Sequence, residues 1–99
     1  MAQYARGNEL TCTVSFVGLD GTKATNAELV VTYTNLSGAA GRDVIEMTVA
    51  VDGVTWSGVW DSSPAAECEA TWCAKCWGGI KGSIQGYFSI VANPANLTT

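Results

Sequence analysis

Residues 52–63 read DGVTWSGVWDSS and residues 64–79 continue PAAECEATWCAKCWGG; together they hold all four tryptophans (Trp56, Trp60, Trp72, Trp77) and three of the four cysteines (Cys68, Cys73, Cys76). Both halves of the stretch alternate with period two, the pattern of a strand with one buried face. In the first half Val54, Trp56, Gly58 and Trp60 fall on one side, against Thr55, Ser57 and Asp61. In the second half Cys68, Ala70, Trp72, Ala74 and Cys76 face inward, and Glu67, Glu69, Thr71, Cys73 and Lys75 face outward. Asp52-Gly53 is a hairpin signal, because this dipeptide tolerates the positive φ angles of a two-residue turn. Residues 61–67, with Pro64 at their centre, turn the chain between the halves, and Gly78-Gly79 breaks the second strand. The stretch thus predicts two adjacent strands with Trp56, Trp60 and Trp72 stacked in a core.

The same period extends outward in both directions. Upstream, Leu10, Cys12, Val14 and Phe16 alternate with Thr11, Thr13 and Ser15, and a second run at 28–34 alternates Leu29, Val31 and Tyr33 with Val30, Thr32 and Thr34. A third run, 44–51, places Ile45, Met47, Val49 and Val51 together, after the turn-rich NLSGAAGRD (35–43). Downstream, 83–91 offers Ile84, Gly86, Phe88 and Ile90 to the core. Six or seven such strands, with no helical period, predict an all-β fold: an immunoglobulin-like antiparallel β-sandwich. The domain spans 9–91, with an N-terminal arm at 1–8 and a polar C-terminal tail at 92–99 that Pro94 keeps from pairing. Phe16 and Phe88 join the three inward tryptophans as expected core residues.

Composition narrows the function classes. Ninety-nine residues make one domain with a single core. The net charge is −4, and the five basic residues, Arg6, Lys23, Arg42, Lys75 and Lys81, are scattered. Nucleic-acid binding needs a basic stripe that releases phosphate counterions, and an anionic membrane surface attracts basic clusters. Neither partner is expected. The first ten residues lack the apolar run of a secretory signal, so the chain reads as made in the cytoplasm. Four cysteines in such a chain suit disulfides only if the mature protein leaves the reducing cell, as virus particles do.

A resemblance accounts for much of this pattern. RGNELTCTVSF (6–16), a DGT loop (20–22), DGVTWSGVWDSS (52–63), ATW (70–72) and GSIQGYFSI (82–90) resemble small Ig-like accessory virion proteins of tailed bacteriophages. Their shared pattern is RGD-x-V, a DGT turn, DG-x-W-x-x-x-WDSS, x-W and a closing EG-x-F. The likeness covers nearly the whole chain and implies a virion protein of the capsid, neck or tail, in many symmetric copies, binding major or minor capsid proteins or neck and tail proteins. Two features depart from it. Glu67-Cys68 stands where Pro-Gly is usual, and a strand that ordinarily lacks cysteine reads WCAKCW (72–77). A second likeness, of LTCTVS and ATWCAK to the cysteine strands of antibody variable domains, would pair Cys12 with Cys73. Thr71 replaces the corner tyrosine of that family, Asn26 stands where its tryptophan belongs, and alternation turns Cys73 outward.

Reactive chemistry finds little support. The chain has no histidine, so the commonest general base and the Ser-His and Cys-His pairs are missing. Glu67 and Glu69, roughly 7 Å apart on a strand, read as a solvated edge rather than an acid-base pair. No catalytic residue, cofactor site or metal site is expected. Cys73-x-x-Cys76 has the spacing of a redox or zinc pair, but on a strand positions i and i+3 face opposite sides. Asp20, Asp43 and Asp52 fall in separate loops, without the oxygen spacing of a calcium site.

What remains is recognition. Cys73, Cys68, Cys76 and Cys12 are candidates for cross-links to neighbouring proteins, against the alternative of free or internally paired thiols. Trp77 is the candidate contact residue, since an exposed Trp is a typical interface hot spot. The expected role is a capsid decoration or linking protein in the virion. The alternative is a neck, tail or adhesin module stacking host-surface glycans on Trp77 or a displaced Trp60.

Overall fold

The computed structural model describes residues 2–92, and these form a two-sheet, all-β sandwich of immunoglobulin-like type. The strands are β1 (Ala2–Ala5), β2 (Glu9–Ser15), β3 (Asn26–Thr34), β4 (Ala40–Glu46), β5 (Thr48–Val49), β6 (Thr55–Asp61), β7 (Cys68–Trp77) and β8 (Gly82–Val91). The larger sheet has the order β1-β8-β7-β3-β4 and the smaller sheet β2-β6-β5. All neighbours are antiparallel except β1 and β8, which run parallel.

Alternation builds the core as the sequence pattern requires. Leu29, Val31, Ala70, Ala74, Phe88 and Ile90 from the larger sheet meet Val14, Trp56 and Trp60 from the smaller one, with Phe16 just beyond β2. β7 contributes alanines here, and that small side chain leaves room for the tryptophans of β6. The rings form a chain across the sheets. Tyr4 meets Phe88 edge-on at 5.8 Å, Phe88 meets Trp60 at 5.8 Å, and Trp60 meets Tyr33 at 5.3 Å. Such contacts add about 0.5–1.5 kcal/mol each beyond the area they bury.

Several expectations need correction. β6 and β7 are not adjacent: they lie in opposite sheets, so residues 62–67 cross the sandwich instead of closing a hairpin. Ser62 anchors the crossing. It is fully buried, its hydroxyl and its N–H both donate to the Asn8 carbonyl, and its Oγ accepts from the Gly7 N–H. Trp72 is only half-buried against the core, whereas Trp56, Trp60, Phe16 and Phe88 are buried. The arm at 1–8 contributes a strand, since Ala2–Ala5 pairs along β8. The third run starts earlier, at Ala40, and divides at Met47, whose N–H donates to the Ala27 carbonyl where the chain changes sheets. Val51 is fully exposed in the turn that follows. That turn is longer than two residues. Ala50 N–H donates to the Thr55 carbonyl, and only Gly53 has positive φ, at 75°. The Asp52 carboxylate holds it by accepting from Val54 N–H, Thr55 N–H and the Thr55 hydroxyl. Ile84, expected inside, is 39% exposed. The tail from residue 93 onward lies outside the described residues.

Candidate interaction surfaces

The strands carry the four cysteines to four separate places. Cys12 faces inward from β2 and is half-buried, and burial pushes its thiol pKa up. Cys76 is buried near the end of β7 beside Gly82, and burial raises its pKa against the lowering effect of a backbone hydrogen bond from Gly82. Cys68 opens β7, where its Sγ accepts from Thr34 N–H at 3.5 Å and lies 3.8 Å from the Thr34 carbonyl as donor. Cys73 sits on the outer face of the larger sheet, in register with Val30 and Gln85. All four are free thiols. An antibody-type bridge is therefore absent: Cys12 faces the interior from one sheet, and Cys73 faces away from the interior on the other. Nor do three His, Cys, Asp or Glu side chains come together among the described residues to hold a metal ion.

Around Cys73 the outer face is ordered in rows by strand register. Val44, Val30, Cys73 and Gln85 form one row across β4, β3, β7 and β8. The row on one side is Glu46, Glu28, Lys75 and Ser83, with Lys75 Nζ 3.0 Å from Glu28. On the other side lie Arg42, Thr32, Thr71 and Tyr87, with a hydroxyl hydrogen bond between Thr32 and Thr71. An apolar strip with a half-buried thiol thus runs between polar borders. Val44 and Tyr87 are exposed, so the surface is open to a partner.

Trp77 ends the β7 part of this face. It is 40% exposed, stands opposite Asn26 and is followed by Gly78 and Gly79, both at positive φ. Gly79 cannot carry a side chain, because a Cβ there would lie 2.5 Å from the Lys23 carbonyl oxygen. Trp77 borders a recess of about 340 Å³ together with Thr25, Asn26, Glu28, Glu46 and Trp56. The Trp56 indole N–H is buried nearby and has no acceptor among the described residues.

A feature the strand pattern did not announce lies at the opposite side of the sandwich. An apolar cleft of about 480 Å³ opens between the sheets beside β2, lined by Tyr4, Cys12, Trp60, Trp72 and Phe88 with Glu9 at its border. Sequence alternation identifies inward faces, but it does not say whether an opposite strand is there to cover them. Asp43 was also missed as a structural residue. It lies on β4, not in a loop, and its Oδ2 accepts from the Trp60 indole N–H at 2.8 Å. Against known proteins, no family model matches the chain, and no curated protein matches its sequence.

Proposed function

We infer that the chain is a structural accessory protein of a tailed-phage virion, a decoration or linking protein that binds neighbouring capsid proteins and locks to them through cysteine. The observation that carries the binding part is the Val44–Val30–Cys73 strip on the outer face of the larger sheet, with exposed Trp77 on the same face beyond the Glu28–Lys75 row. The virion setting rests on the resemblance of RGNELTCTVSF, DGVTWSGVWDSS and GSIQGYFSI described above. Apolar strips with polar borders and an aromatic anchor suit protein contacts. Once the particle leaves the cell, Cys73 and a facing partner thiol lose two protons and two electrons to dissolved dioxygen and form one disulfide, adding about 2–4 kcal/mol of constraint.

Non-reducing electrophoresis of native particles tests the reading. The expected result is a band of this chain joined to a partner, which collapses to monomer with reductant and is lost in Cys73→Ser particles. A monomer band with and without reductant overturns the covalent part. Absence of the chain from purified particles overturns the whole reading. The recess beside Trp77 favours the second reading, a neck, tail or adhesin module stacking a glycan ring there. Trp60, 3% exposed and tied to Asp43, is not available for that role.

A further inference from the structure

The two sheets differ in width. β6 packs across β3 and β4, and β2 lies next to β6, so β8 and β1 project beyond β2. Phe88 and Ile90 of β8 are covered, but two inward side chains on the projecting strands stay open: Tyr4 is 42% exposed and Ile84 39%. Leu10, Cys12 and Trp72, which also face this side, are only half-buried. β2 itself pairs on one side alone. Among the described residues no strand lies along its outer edge, so the backbone donors and acceptors of alternate residues, Glu9, Thr11, Thr13 and Ser15, face away from β6 at the cleft mouth.

These two features ask for the same occupant. A bare strand edge takes main-chain hydrogen bonds from an extended chain, and pockets beside it take alternate side chains. A helix or an apolar small molecule would leave the edge unmet. A second folded copy does not fit edge to edge, because the projecting β8 and β1 of each copy would stand over the other's β2. Residues 93–99, NPANLTT, offer one large apolar side chain and no cation. Among the described residues Glu9 is the single charged one bordering the cleft, so complementarity calls for one basic residue there and none elsewhere.

We propose that the outer edge of β2 accepts an extended strand from another polypeptide, with apolar side chains at alternate positions filling the cleft over Cys12 and Trp72 and a Lys or Arg beside Glu9. This stands whether or not that polypeptide is a virion protein, so its failure leaves the Cys73 reading untouched.

The probe is a synthetic peptide, acetyl-Thr-Val-Thr-Leu-Thr-Val-Lys-amide, added to the full chain. Antiparallel to β2, it sets its apolar residues opposite Leu10, Cys12 and Val14 and its Lys beside Glu9. Hydrogen exchange of the outward amides of Glu9, Thr11, Thr13 and Ser15 should slow, and alkylation of Cys12, read by peptide mass mapping, should slow in step. Replacing Val and Leu by Ser should abolish both effects. Replacing the terminal Lys by Glu should weaken binding by about threefold, the scale of an exposed ion pair, and Glu9→Lys should reverse that preference. Unchanged exchange and alkylation with the first peptide overturn the proposal. So does an edge already protected in the free protein and exposed only on removing residues 93–99, or one protected only at high protein concentration. Those results would assign the edge to the chain's own tail or to a second copy.

Discussion

Asp43 does more for this fold than its place in a turn-like sequence would suggest. Its carboxylate accepts from the Trp60 indole N–H and is hydrogen-bonded to the Tyr33 side chain, so one residue of β4 ties β3 to the opposite sheet. Burial first, then the hydrogen bond and charge of Asp43, push the Tyr33 phenol above its usual range. A phenol with a raised native pKa contributes stability that is fully present below its unfolded value of about 10 and is lost as pH rises through the native value. Asp43→Ala should destabilise the domain by about 2 kcal/mol, since two partners of a charged acceptor lose it together. Urea unfolding reads that loss, and an absorbance titration of Tyr33 should shift back toward the usual phenol range in Asp43→Asn. An unchanged Tyr33 titration would deny the contact. None of this was legible in NLSGAAGRD, because Gly and Asp there read equally well as a turn. The inward position of Asp43 depends on Ala40 starting a strand, and only pairing with β3 decides that.

At the scale of the element, two glycines on strands, Gly41 and Gly86, turn out to be seats for rings. Tyr33 is in register with Gly41, and a Cβ on Gly41 would lie 2.5 Å from the Tyr33 ring. Trp72 is in register with Gly86, where a Cβ would lie 2.6 Å from the Trp72 Nε1. In both pairs an aromatic side chain covers the bare backbone of its neighbour, which offsets the weakness of glycine in a strand. Gly86→Ala should therefore displace the Trp72 indole toward the cleft and cost about 1–3 kcal/mol, the usual range for overpacking. Thermal unfolding and a red shift of tryptophan emission would register it. A variant with wild-type Tm and emission would mean that the ring does not lie on Gly86. The inward and outward parity of β7 was readable from WCAKCW, and it placed Cys73 outside. Which sheet each strand joins was not, because alternation records a strand's buried face and not its partner. That is why β6 and β7 looked like neighbours although residues 62–67 carry the chain across the sandwich.

For the molecule as a whole, stability comes from the core and not from covalent staples. All four thiols are free, and strand register keeps them in different places. The isolated protein should melt at the same temperature with and without reductant. An internal bridge would contribute about 2–4 kcal/mol and would raise Tm by several degrees under oxidising conditions. The β-sandwich class was legible because period-two alternation runs through nearly every strand. The unequal widths of the sheets were not, since width depends on where β1 pairs, and AQYA carries no alternation strong enough to assign it.

That pairing has a kinetic consequence. β1 joins Ala2–Ala5 to Phe88–Val91, so the first of the described strands lies beside the last of them. Contacts so far apart in sequence give a high contact order, and sandwiches of this kind fold on a scale of about milliseconds to seconds. During synthesis the N-terminal strand has no partner until β8 has left the ribosome. In order of synthesis the larger sheet therefore grows from its β3–β4 edge through β7 and β8, and β1, made before all of these, docks after them.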